Sequence, residues 1–260
     1  MEKNLKNRLI FLANKYENAE FLKKDPSQFM HRFSSPLEQE TVAFIAANLS
    51  FGRRDQIINH VEMILTDCKN QNLLPSEWIL QEKYKNFFLP REKFFYRMYS
   101  NKSMILFFDG INFMLKKSGS IQNHIKPQLQ KQNLILNKDI FASHVIAQNF
   151  CPECNLIPHT KGSACKKLNM FLRWMVRKNS PIDLGLWSSW FSAKNLLMPL
   201  DTHVMQQSVK LGLIPLRSGT KFPSANLKTA IALTQKLKEV FPEDPVRSDF
   251  ALFAYGVEFD

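Results

Sequence analysis

Lys166 stands in the run Gly162-Ser163-Ala164-Cys165-Lys166-Lys167-Leu168-Asn169-Met170, at the start of a helix expected over 163–178. At about 100 degrees per residue, Ala164, Leu168, Phe171, Leu172 and Met175 share one face of that helix. Lys166, Asn169, Arg173 and Arg177 fall on the opposite stripe. A lysine attacks only as the free amine, a form favoured by nearby positive charge and partial desolvation, and the stripe offers the charge. Three uses of the stripe stand open. It is an ordinary wet face, or Arg173 and Arg177 hold phosphates across a cleft, or both are paired with buried carboxylates. The apolar flanks in Leu172-Arg173-Trp174-Met175-Val176-Arg177 keep the third in play. Downstream, Asp201 opens another helix in Leu200-Asp201-Thr202-His203-Val204, where an aspartate is a good N-cap. His203 reaches either a phosphate or its own helical turn.

Two other constellations bear on binding. Cys151, Cys154, His159 and Cys165 form a C-x2-C-x4-H-x5-C array, whose thiolate and imidazole ligands suit tetrahedral zinc. The alternative is a small buried hydrophobe at Cys165 and two loop thiols. In Ser50-Phe51-Gly52-Arg53-Arg54, Gly52 permits close approach of a base or phosphate to the backbone. Arg53 and Arg54, at a helix start, suit phosphate with help from the helix dipole. The same residues also make a plain helix-helix turn with two solvated arginines.

The elements that must position these residues are nearly all helical. Only eight glycines punctuate 260 residues, and apolar positions recur with the helical period in most long segments. Helices are expected over 4–22, 36–48, 54–70, 91–98, 101–117, 119–126, 138–148, 163–178, 182–191, 202–211, 223–240 and 246–257, separated by prolines. The length suffices for a full core, with no repeat, low-complexity tract or flexible linker. Thirty-five Lys and Arg against 23 Asp and Glu give a net charge of +12, which fits a polyanionic partner, above all nucleic acid, or a plain basic surface. No apolar run reaches the length needed to span a bilayer and the N-terminus has no signal-peptide core, so a cytoplasmic protein is expected. Four cysteines without a secretory signal argue against a disulfide framework.

The pattern Leu200-Asp201-Thr202-His203-Val204 resembles the V/L-D-T-H-V/I motif of the helix-hairpin-helix DNA glycosylases. The runs Ser163–Arg177, Asp183-Leu184-Gly185-Leu186-Trp187 and Asp249-Phe250-Ala251-Leu252-Phe253 resemble a bacterial group related to the archaeal 8-oxoguanine glycosylases. In the superfamily the lysine follows a hairpin L-P-G-V-G-x-K whose amides grip phosphate. Here Leu156–Lys166 is longer and has one glycine in place of two, with Gly162 and Ser163 left to form the amide nest and cap. The apolar run before Gly52 is similar to the superfamily's early helix ending in L-L-S-x-Q, with glycine and arginine in place of the polar amide.

The resemblance implies an all-α, two-lobe glycosylase-like fold. One lobe spans 36–165, residues 1–35 join 166–260 in the other, and the site lies in the cleft between them. It implies a DNA repair glycosylase with lyase activity, 8-oxoguanine being the expected lesion, in which Lys166 forms a Schiff base and Asp201 stabilises positive charge on the sugar. Lys167 is the alternative nucleophile, but it points about 100 degrees from the stripe shared with Arg173 and Arg177. The flipped base requires a stacking pocket, for which Trp187, Trp190, Phe250 and Phe253 are the candidates beside their alternative as core. The implied partner is double-stranded DNA containing a damaged base, bound by a monomer, with no cofactor and no metal. The cysteines that carry the iron-sulfur cluster of endonuclease III follow the catalytic aspartate, and this chain has none after Cys165. Other readings are a monofunctional glycosylase for alkylated or deaminated bases, which needs only the aspartate, and a non-catalytic nucleic-acid binder, which needs neither residue.

Overall fold

The computed structural model describes residues 1–131, 141–158, 161–215 and 222–259, with side chains described as far as 256. The chain forms two compact units, Met1–Lys23 with Thr160–Asp260, and Lys24–His159. These boundaries differ from the expected 35/36 and 165/166. The 3-10 segment Pro26–Arg32 packs on the helix that follows it, and therefore belongs with that helix.

The unit Lys24–His159 is built around helix α2 (Pro36–Leu49), in which Thr41 to Leu49 are all buried. Such a helix, apolar on every side, is a core element. Its two buried acids end other helices: Glu38 accepts from the backbone and hydroxyl of Ser76, and Glu40 accepts from Ile121 N at 2.8 Å and Gln122 N at 3.0 Å. Both carboxylates thus satisfy amide groups in the first turns of α4 (Pro75–Leu80) and α7 (Ile121–Lys131), where negative charge is favoured. Helices α3 (Arg54–Asn70), α5 (Tyr84–Phe87), α6 (Asn101–Ser118) and α8 (Ala142–Ala147) complete the unit. Phe44, Phe107 and Phe150 cluster inside it with nearly parallel planes and centroids 5.7 to 5.9 Å apart, with Gly110 leaving room for the Phe150 ring.

A helix over 91–98 is not formed. Phe94–Tyr96 (β1) and Tyr99–Ser100 (β2) instead pair antiparallel, with Arg97 at positive φ in the tight turn. The run Phe94-Phe95-Tyr96 suits a strand better than a helix, because aromatic rings lose freedom against a helical turn and pack well across a pleat.

In the unit Met1–Lys23 with Thr160–Asp260, α1 (Lys3–Tyr16) packs on α12 (Ser248–Phe259), which also packs on α10 (Thr202–Lys210). Helix α9 is shorter than expected, Lys166–Val176, and α11 covers Leu227–Leu237. The segment 182–191 is not a helix. Its amides are used elsewhere: Leu184 and Gly185 donate to Trp174 O, and Trp187 donates to Met175 O at 2.6 Å, closing the C-terminal end of α9. Gly185, at positive φ, lies so close to this end that an added Cβ would sit 3.0 Å from Arg177 O. Among the described residues no helix is long and apolar enough to cross a membrane.

Candidate active site

Lys166 is the first residue of α9 and Asp201 is the N-cap of α10. The helix starts late because Ser163 is held extended, bridged to Asn226, while Gly162 O accepts Leu227 N at 2.8 Å. Ser163 Oγ accepts Cys165 N at 3.1 Å, and Cys165 itself turns through the left-handed region (φ 46) before α9 begins. Gly162 therefore lies in a turn and Ser163 in an isolated bridge, and the expected helical cap at 163 moves to Cys165.

The two oxygens of Asp201 have different tasks. Oδ1 accepts Val204 N at 2.9 Å and caps α10, while Oδ2 lies 3.8 Å from Lys166 Nζ. Lys166 also approaches Met170 Sδ at 3.7 Å. The lysine side chain is 28% exposed and that of Asp201 43%, so the pair sits at a surface open to a ligand. The structure thus brings together the two residues singled out for chemistry.

The arginine stripe is not a phosphate-holding face. Arg173 and Arg177 are buried, with 4% and 3% of their side chains exposed. Arg173 pairs with Asp183 at 3.3 Å and with Asp249, while Arg177 pairs with Glu17 at 2.6 Å, Asp244 at 2.8 Å and Asp183. Arg247 adds a second cation to Glu17 at 2.8 Å. Burying two guanidinium groups is tolerable only with such partners, and the carboxylates come from the C-cap of α1 (Glu17), the segment after α9 (Asp183), the residues leading into α12 (Asp244) and its first turn (Asp249). Asn169 is buried too, donating to Ala164 O.

The field in this cluster is uneven. Burial alone would raise the Glu17 carboxyl, but Arg177 and Arg247 outweigh it and hold it below its ordinary value. For Asp183, burial wins over Arg173 and Arg177 and pushes the carboxyl up. Asp249 is also pushed up by burial, against Arg173 and Lys166 and with Asp201 adding to the rise. Asp249 thus pairs with Arg173 and also lies within the field of the Lys166–Asp201 pair. The sequence held a signal for Asp183, which stands between apolar neighbours in Ile182-Asp183-Leu184, but none of that kind for Asp249, which follows the polar Ser248.

The rings proposed for a base pocket divide. Trp187 and Phe250 are fully buried and serve as core: Phe171 meets Trp187 edge to face, and both buried guanidinium groups lie over Phe250, at 4.6 and 5.4 Å. Trp190 and Phe253 are only half-buried, Trp190 tilted against Trp187 and Phe253 packed on Phe21. His203 is exposed in the first turn of α10, with its ring against Gly256 of α12.

In the other unit, Gly52 has φ +106, but the close approach it permits is filled by Arg97 and Tyr96 of the hairpin. Arg53 and Arg54 are exposed, with Arg53 paired to Asp55 at 2.8 Å. Of the cysteine array, Cys154 and Cys165 are buried, Cys151 is half-buried, and His159 lies outside the described residues. Among the described residues no three His, Cys, Asp or Glu side chains converge as metal ligands.

No curated protein and no solved structure matches the chain in comparisons across its length. A family model described as a protein of unknown function, DUF2400, matches residues 25–258, which takes in nearly all of the Lys24–His159 unit and, from the other unit, the part after residue 160 with the Lys166–Asp201 pair but not Met1–Lys23. The chain belongs to this DUF2400 family.

Proposed function

We propose that the protein is a DNA repair glycosylase with lyase activity, acting on an oxidised purine such as 8-oxoguanine. The observation that carries this reading is the approach of Lys166 Nζ to Asp201 Oδ2 while the other oxygen caps α10. A carboxylate fixed by its own helix cap is a prepositioned anion, placed to stabilise positive charge that grows on a sugar held at the lysine.

As free amine, Lys166 directs its lone pair at C1′ of the deoxyribose. The bond from C1′ to the base breaks, and the base leaves with that electron pair and takes up a proton. The sugar ring opens to a Schiff base, loss of a proton from C2′ expels the 3′ phosphate, and the strand is cut. Asp201 accepts the proton that the attacking nitrogen sheds and offsets the charge of the oxocarbenium-like state. Trp190 and Phe253, the two candidate rings with exposed surface, remain available to stack a flipped base, whereas Trp187 and Phe250 are not. The net charge of +12 supports the DNA partner, with Arg53 and Arg54 as phosphate contacts.

Incubation of the purified protein with an end-labelled duplex containing 8-oxoguanine separates the readings. Strand scission without alkali is the expected result. Scission only after alkali treatment would indicate a monofunctional glycosylase, and binding without base release from any lesion would indicate a non-catalytic binder.

A further inference from the structure

The β1–β2 hairpin and the turn between α2 and α3 form one surface. Tyr96 donates its hydroxyl to Phe51 O at 2.6 Å, and the Arg97 guanidinium lies over the Phe51 ring at 4.8 Å. Gly52 makes this fit possible, since a Cβ there would meet Arg97 Nη1 at 2.5 Å. Behind the hairpin, the His60 ring of α3 packs on Tyr96 at 4.4 Å, and Asn155 donates to Met98 O at 3.3 Å. The hairpin base is closed by Asn101 N to Lys93 O at 2.7 Å and Lys102 N to Arg91 O at 3.1 Å. The hairpin and turn are thus held in place while Phe94, Met98 and Phe51 stay exposed.

The exposed residues of these segments combine apolar and basic side chains. Phe94 is 68% exposed, Met98 53% and Phe51 41%. Around them, segments 51–55 and 91–102 carry six basic residues, Arg53, Arg54, Arg91, Lys93, Arg97 and Lys102, against two acidic ones, Asp55 and Glu92. Exposed apolar side chains set among cations match a polyanion that also offers flat apolar faces, which describes nucleic acid with an unstacked base.

We infer that this hairpin and turn are a contact surface for distorted duplex DNA, with the arginines and lysines on phosphates and Phe94 and Met98 against an unstacked base. The inference rests on DNA as the partner proposed above, but not on the lysine chemistry.

Fluorescence anisotropy with the full chain tests it, using an intact duplex and the same duplex carrying a bulge. The double variant Arg91→Gln/Lys93→Gln keeps the backbone carbonyls that close the hairpin. It should lower the magnitude of the salt slope by about 2 on both DNAs. Phe94→Ala/Met98→Ala should leave that slope unchanged and weaken binding of the bulged duplex by about fivefold or more, with the intact duplex little affected. Unchanged affinity and slope in both double variants overturns the inference, even if the wild-type protein cuts 8-oxoguanine DNA. Dependence on the hairpin in a protein that cuts no lesion supports it and removes only the lyase chemistry. Photo-crosslinking of wild-type protein to a bulged duplex bearing a photoreactive base does not depend on the variants folding. Crosslinks to residues 94–98 are expected, and crosslinks confined to other segments overturn the inference.

Discussion

Replacing Arg177 with alanine should destabilise the protein strongly while leaving its intrinsic affinity for undamaged DNA unchanged. The guanidinium donates through Nε to both Asp244 oxygens, at 3.0 and 2.8 Å, through Nη1 to Asp183 and through Nη2 to Glu17 at 2.6 Å. With 3% of this side chain exposed, and 6% and 0% of Glu17 and Asp183, water cannot replace the lost cation. Removing one partner of a buried pair costs about 3 to 5 kcal/mol. At roughly 2 to 4 °C per kcal/mol for a chain of this size, the midpoint should fall by about 6 to 20 °C. The loss is not restored by Arg177→Lys, since a single ammonium cannot reach three carboxylates in fork geometry. In the pair Arg177→Met and Asp183→Asn, the double variant should lose less than the sum of the singles. Thermal melts followed by circular dichroism, with DNA binding measured well below the midpoint, give both quantities. A melt like that of wild type, together with a shallower salt slope, would show that Arg177 faces DNA and refute the buried-cluster account.

Three further outcomes follow from particular contacts. Asp201→Asn keeps a competent cap on α10, so stability should stay within a few tenths of a kcal/mol while base release falls about 100-fold or more; full activity would reduce Asp201 to a cap. Because the Glu17 carboxyl sits below its ordinary value of 4.5, its contribution to stability is present above that pH and is lost as the pH falls through the lower folded value. Glu17→Gln, melted across that range, should therefore show a flatter acid limb than wild type. Gly110→Ala places a Cβ 2.4 Å from the buried Phe150 ring, and urea unfolding should show a loss of about 1 to 3 kcal/mol.

Much of the frame was legible in the residues. The apolar run Val42–Leu49, the helical period of 54–70 and 101–117, and the cap at Asp201 each specify a local structure, and each element forms close to its expected bounds. What escaped was decided by distant partners. Periodicity places Arg173 and Arg177 opposite the apolar face of α9, but it cannot tell water from carboxylates that arrive from Glu17, Asp244 and Asp249. Likewise, Leu184 to Trp187 have apolar spacing suited to a helix, yet their amides close the end of α9. The hairpin at 94–100 was missed because a short aromatic run has no period of its own. In the site, the nearness of Lys166 and Asp201 was expected from the resemblance, whereas the partly buried Asp249, paired with Arg173, emerges only from the packing of α12.

The central claim is that Lys166 attacks the sugar, and borohydride trapping tests it most directly. With sodium borohydride and an 8-oxoguanine duplex, wild type and Lys167→Ala should each give a covalent protein-DNA adduct, and Lys166→Gln should give none. An adduct that persists in Lys166→Gln and disappears in Lys167→Ala would move the nucleophile by one residue, and absence of adduct from wild type on every lesion tried would contradict the lyase account altogether.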